Sequence, residues 1–263
     1  MTACPIRYQR QVPDRKGKIF YTSITSLSHI SICRRVFNTV KLYAKQRRLV
    51  SLMMAHINER EKNNHMMIDI QSHIVEFRNG ESGKHVLHMD KVIQLLLDKI
   101  VQKTDKYPSL WQERILIRTA SALHDIGKIG IDEAILNKPG RLTAEEFESM
   151  KAHTTIGADM LRNLPRYQEE RILQIAIEIC RWHHERYDGK GYPDGLVGDE
   201  IPISAQLVSI ADVYDALTSE RVYKKAFSHE KAMQMIREGE CGAFNPLLLS
   251  CLEEIADELQ AEM

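Results

Sequence analysis

The chain has 263 residues with 36 basic and 36 acidic side chains, so its formal charge is zero and no global field draws it to DNA or an anionic surface. Its apolar share, 43%, is that of an ordinary globular protein, and no apolar run approaches the ~20 residues that cross a bilayer. The N-terminus is basic and lacks the apolar core of a signal peptide, so a cytoplasmic protein of one large domain, or one domain with an appendage, is expected. The five cysteines, Cys4, Cys33, Cys180, Cys241 and Cys251, form no CxxC pair or disulfide-like spacing and read as buried or idle thiols.

Strand signals are scarce, and apolar residues recur at three- and four-residue spacing, so the expected fold class is all-α. Residues 1–28 carry polar and Gly/Pro punctuation and are expected to be irregular. Residues 29–65 form a linker region. Within it, Ile32, Val36, Val40, Tyr43, Leu49, Leu52, Met53 and Ile57 keep helical spacing. A long amphipathic helix outside a core must bury its stripe, so a homodimer paired along it is expected. A compact domain is expected over residues 66–263. Its predicted helices cover 66–77, 86–103, 110–123, a segment opened by the capping box Thr143-x-x-Glu146 that carries His153 at its far end, 168–184, 204–217 and 246–259.

The chemistry-bearing residues stand at the edges of these helices. His124-Asp125 is followed by Gly127-Lys128, which adds a tight turn and a fixed positive charge suited to a phosphate. His183-His184 ends an apolar helix, where two buried imidazoles are costly unless they are bonded or ligating. Asp188-Gly189-Lys190-Gly191 then makes a turn, and Tyr192-Pro193 a rigid aromatic lip able to stack on a base. With His153 and Asp212, these groups are ligands of hard or borderline divalent cations. Several of them together suit a centre with more than one metal, which does hydrolytic chemistry on phosphate esters. Cys180 lies one turn before His183 and reads as a small core residue.

The string His124-Asp125-Ile126-Gly127-Lys128-Ile129-Gly130, the segment Ile135-Leu136-Asn137-Lys138-Pro139-Gly140, His153, the run from His183-His184-Glu185 to Gly191-Tyr192-Pro193, Asp212 and Arg221-Val222-Tyr223-Lys224 resemble the HD-GYP subgroup of the HD-domain metal-dependent phosphohydrolases, over about residues 77–246. The resemblance implies a helical HD bundle preceded by a linker helix. It implies hydrolysis of the bacterial second messenger cyclic di-GMP to pGpG, GMP or both. It places metal ligands on His124, Asp125, His153, His183, His184 and Asp212, with Asp125 as the bridge, and Glu81 and His85 as additional ligands of a trinuclear type. Two or three divalent ions are implied, Fe or Mn first, with Zn or Ni also compatible. Lys128 would meet the scissile phosphate, Tyr192 a guanine or the ribose-phosphate ring, and Arg221 and Lys224 a guanine or the phosphates; Asp125 and Lys128 are the implied catalytic residues. GGDEF-type or other signalling proteins are the implied partners.

Two positions depart from the family pattern. Asn79 stands where an Asp is common, which removes a carboxylate from the mouth of the site. Phe244-Asn245-Pro246 replaces Phe-Asp-Pro, with a small effect expected where a helix starts. Residues 29–49 resemble the last helix and exit linker of a response-regulator receiver domain; with no strand-ending Asp to phosphorylate, they would be a remnant, with residues 1–27 unrelated to it. Two rival readings are a catalytically silent cyclic di-GMP sensor and an HD phosphohydrolase for another nucleotide.

Overall fold

The computed structural model describes residues 9–13, 19–23, 26–78, 84–220 and 225–262. The chain divides into two units, Met1–Asn63 and Asn64–Met263. The first unit corrects the expectation of an irregular start. Gln9–Pro13 (β1) and Ile19–Ser23 (β2) pair antiparallel, with Gln9 opposite Ser23, Gln11 opposite Tyr21 and Pro13 opposite Ile19. The run Ile-Phe-Tyr-Thr in β2 is rich in strand formers, but five residues are too few to stand out against the surrounding helical periodicity.

Helix α1 runs unbroken over Ser26–Arg78, where two helices were expected. No Gly or Pro stands anywhere in that stretch, so nothing in the backbone forces a stop at the polar Asn63-Asn64. Ile32, Val36, Phe37, Val40, Tyr43, Leu49, Leu52, Met53 and Ile57 are all exposed on it.

The second unit is helical among its described residues. Helix α2 (His85–Lys103) and helix α8 (Ile203–Thr218) bury the most. From α2, Val92, Ile93, Leu96, Leu97 and Ile100 point inward; from α8, Leu207, Val208, Ile210 and Ala211 do so. Around them pack α3 (Leu110–Ser121), α7 (Arg171–Trp182) and α10 (Pro246–Glu254), which add Ile117, Ile175, Ile179, Leu248 and Leu252 to the same core. Short helices α4 (Glu133–Leu136), α5 (Ala144–Lys151) and α6 (His153–Arg162) lie between α3 and α7, and α9 (His229–Arg237) and α11 (Ala256–Glu262) complete the unit.

Two details differ from the sequence reading. The Thr143 capping box is present, with Glu146 N donating to Thr143 Oγ1 and Thr143 N to Glu146 Oε2. However, α5 stops at Lys151, and His153 opens α6 rather than closing α5. The last predicted helix is split at Ile255 into α10 and α11. Asn245 caps α10 by accepting from Leu247 N at 2.9 Å, while its amide donates to Gln206 Oε1 at 2.8 Å. Asn thus does the capping work that an Asp would do there.

Candidate metal centre

Five segments deliver polar side chains to one place. His85 is the first residue of α2, His124 and Asp125 follow α3, His153 is the first residue of α6, His183 and His184 follow α7, and Asp212 lies inside α8. The approach of α6 to the His124-Asp125 turn depends on Gly127, where a Cβ would stand only 1.9 Å from the His153 carbonyl oxygen. The imidazoles form a connected series, with ring centroids 5.4 Å apart for His85 and His124, 5.2 Å for His124 and His183, 5.5 Å for His153 and His183, and 4.1 Å for His183 and His184.

The ligand atoms fall into two triads. His153, His183 and His184 bring one atom each within 4.8 Å of one another, and so do His85, His124 and Asp212. Asp125 reaches both. Its Oδ2 lies 3.1 Å from His124 Nε2, and its Oδ1 lies 3.4 Å from His153 Nε2 and 3.9 Å from His183 Nε2.

Hydrogen bonds fix which nitrogen of each ring faces inward. A carbonyl oxygen can only accept, so the Nδ1 atoms of His124, His153 and His183 must donate to Ser121 O, Met150 O and Ile179 O, at 2.9, 2.7 and 2.9 Å. In the neutral rings this leaves Nε2 as a bare lone pair. His153 Nε2 and His183 Nε2 face each other at 3.5 Å, an arrangement of two acceptors that a cation between them would stabilise. Asp125 Oδ1 is buried without a hydrogen-bond partner, and such an atom is expensive unless something binds it. The donor set therefore fits divalent metal.

The electrostatics divide the site. Burial, reinforced by the neighbouring rings, pushes His183 down to about 3 and lowers His184 and His153, so these imidazoles are neutral at physiological pH. At His124 burial also lowers the pKa, but the Asp125 carboxylate outweighs it and lifts the ring to about 9. Burial would raise Asp125, yet the Lys128 ammonium, 2.7 Å from its Oδ2, and His124 hold it well below the usual carboxylate range.

A family model described as HD domain matches residues 47–246. The chain belongs to the HD-domain family. It is 40% identical over 180 residues to a probable cyclic di-GMP phosphodiesterase of Vibrio cholerae, an alignment that covers 67% of this chain and 41% of the relative. It is 35% identical over 225 residues to 3′3′-cGAMP-specific phosphodiesterase 2 of the same organism, covering 82% of this chain and 41% of the relative. Among solved structures, an HDG"Y"P protein from Bdellovibrio bacteriovorus superposes with a TM-score of 0.50 at 18% identity, over 75% of this chain and 64% of that one, which is a likeness of fold. The chain spans about two fifths of the length of these curated relatives.

Around the HD-domain centre, Tyr192 leans on His184, with ring centroids 4.8 Å apart. Burial pushes its phenol up. Glu185 anchors the loop that carries it, for its carboxylate accepts from the backbone N–H of Asp194, Gly195 and Leu196 at 2.7, 3.0 and 3.1 Å. Gly191 is required there, since a Cβ would lie 2.4 Å from Glu185 Cα. Cys180 is a core residue whose Sγ donates to Leu123 O at 3.0 Å. Glu81, Asn79, Arg221 and Lys224 lie outside the described residues.

The sequence reading missed the groups behind the centre. Asp215 accepts from His85 Nδ1 at 2.6 Å, from His88 Nδ1 at 2.8 Å and from Ser219 Oγ at 2.8 Å. Burial would raise its pKa, but the His85 hydrogen bond lowers it. The carboxylate thus turns His85 so that Nε2 faces inward, 3.8 Å from Asp212 Oδ1. The spacing of His85 with His88 and of Asp212 with Asp215, three apart on one helix face each, was the available signal. Arg78 was also missed. At the end of α1, its guanidinium donates to the carbonyls of Lys128, Ile129 and Ile131 and pairs with Glu133.

Among the described residues no helix is long and apolar enough to cross a membrane.

Proposed function

We propose that this HD domain is a divalent-metal-dependent phosphodiesterase that opens cyclic di-GMP to linear pGpG, or onward to GMP. The observation that carries the reading is the pair of triads, His153/His183/His184 and His85/His124/Asp212, with Asp125 reaching both. Support comes from relatives named as phosphodiesterases of cyclic dinucleotides. When bound, divalent cations held by these residues would supply Lewis acidity and a water nucleophile acidified toward neutrality. Fe and Mn suit the His/carboxylate set and Zn and Ni are compatible; a third ion on Glu81 would have to draw His85 away from His124 and Asp212, because its Nδ1 is already given to Asp215.

The chain's own groups do the rest. Lys128 holds Asp125 ionised and places an ammonium beside it, where charge develops on the phosphoryl oxygens. Tyr192 forms an aromatic wall for a base or ribose next to His184. Arg221 and Lys224 would contact a guanine or the phosphates.

The test is hydrolysis of cyclic di-GMP by anaerobically prepared protein loaded with Mn or Fe(II), with products separated by chromatography. Turnover abolished by a chelator and by Asp125→Ala is the expected result. No turnover from metal-loaded, folded protein that still binds the nucleotide would replace the enzyme with a sensor. A second substrate, 3′3′-cGAMP, is favoured by the relative that aligns over 82% of this chain, and belongs in the same assay. The exposed apolar side chains of α1 further support a homodimer paired along that helix, to be read by light scattering.

A further inference from the structure

We propose that the cavity beside His184 is a guanine-reading recess in which Lys151 selects guanine over adenine; this rests on the cyclic-dinucleotide reading above. The cavity holds about 290 Å³ and opens next to the metal centre, because His184 is part of its lining. That is near the lower end of the ~300–1,000 Å³ typical of small-ligand sites.

Its walls combine aromatic surface with cations. Phe147, Tyr192 and Phe244 supply the rings; Lys151, Arg186 and Lys190 supply the charge. Phe147 and Lys151 are four apart on α5 and so share a face. Phe147 stands at 81° to Tyr192 with centroids 6.3 Å apart, and the Lys151 ammonium lies 5.1 Å from the Phe147 centroid and 5.4 Å from that of Tyr192. Only Ala152 separates Lys151 from His153, so the junction of α5 and α6 sets the distance between this cation and the metal centre.

A purine that stacks in this aromatic corner presents an edge to the ammonium. Guanine offers two acceptors on its major-groove edge, O6 and N7, whereas adenine offers N7 and an amino donor. Lys151 can only donate, and so can Arg186, whose buried Nε lies 3.5 Å from Asp188 Oδ1 without a hydrogen bond. The carboxylate of the lining, Glu185, is buried and already accepts from three backbone N–H groups, which leaves it a poor acceptor for an adenine amino group. Lys151 does pair with Glu148 at 2.6 Å, but the Glu148 side chain is 68% exposed, and such a pair competes weakly with a ligand.

The test compares wild type, Lys151→Met and Lys151→Arg on cyclic di-GMP, 3′3′-cGAMP and bis(p-nitrophenyl) phosphate, which has no base, together with equilibrium dialysis of cyclic di-GMP. The proposal predicts that Lys151→Met lowers the ratio of kcat/KM for cyclic di-GMP over bis(p-nitrophenyl) phosphate about tenfold, narrows the preference over 3′3′-cGAMP, and is partly rescued by Lys151→Arg. An unchanged ratio overturns it. A wild type that cleaves only bis(p-nitrophenyl) phosphate defeats the proposed reaction instead; the recess is then judged by dialysis, where equal affinity of wild type and Lys151→Met for cyclic di-GMP overturns it.

Discussion

The proton on His124 is one that a cation must displace. Burial disfavours the charged ring, but Asp125 more than restores it, to about 9 from an ordinary 6.5. Because the folded value is raised, the stabilisation this proton gives is complete below about pH 6.5 and is lost as pH rises through about 9. Metal faces the same proton. Burial lowers His85 of the same triad, but the Asp215 hydrogen bond raises it further, so affinity at the His85/His124/Asp212 triad should climb at least roughly tenfold per unit between pH 7 and 9, with at least one proton released on uptake at pH 7; calorimetry in two buffers of different ionisation enthalpy measures both, and pH-independent affinity would contradict this. At the other triad His183, near 3, has no such proton to lose. Asp215 sets the direction of His85, so Asp215→Asn should weaken metal at that triad by about 10- to 100-fold, as measured by competition with a chromophoric chelator. An unchanged affinity would make Asp215 a packing residue only. His124, Asp125, His183 and His184 stood out in the sequence because their types are costly at the ends of apolar helices. Asp215 did not, since spacing tells which residues share a face but not what that face meets.

At the scale of elements, the centre depends on one turn being held on two sides. The turn carrying His124, Asp125 and Lys128 touches α6 backbone to backbone at Gly127. Gly127→Ala forces a methyl into the His153 carbonyl, which neither side can yield cheaply. A loss at or above the ~1–3 kcal/mol of ordinary overpacking is expected in urea unfolding, with metal affinity falling alongside. The far side of the same turn is held by Arg78 through the carbonyls of Lys128, Ile129 and Ile131. Arg78→Ala should speed hydrogen exchange across residues 126–131 and lower kcat through a looser Lys128, while exchange in α8 stays as in wild type. Equal exchange in that turn would show that Arg78 is not its clamp. The capping box at Thr143 and the helical periods of α2, α7 and α8 were readable from local sequence, because caps and apolar faces are local physics. The hairpin Gln9–Pro13/Ile19–Ser23 and the continuity of α1 were not. Five-residue strands carry little periodic signal, and a polar Asn63-Asn64 pair resembles a break although nothing in the backbone requires one.

In the whole molecule, the helical core brings together candidate ligands that stand 127 positions apart in the chain, from His85 to Asp212. Which helix ends would meet came only from the resemblance of ordered motifs to a known family, since periodicity alone places each residue on its own helix and stops there. Arg78 and Lys151 had no such motif around them, and their roles appear only once the helices are assembled. On the proposed reading, two neighbouring triads share Asp125 and hold separate cations. Metal analysis of protein reconstituted with Mn or Fe(II) and freed of excess ion tests it most directly, with His183→Ala, Asp212→Ala and Asp125→Ala beside the wild type. The account predicts at least two ions per wild-type chain, the loss of about one in each of the first two variants, and the loss of more than one when Asp125 is removed. A single ion in the wild type, or an Asp125→Ala protein that keeps its full complement, would contradict it.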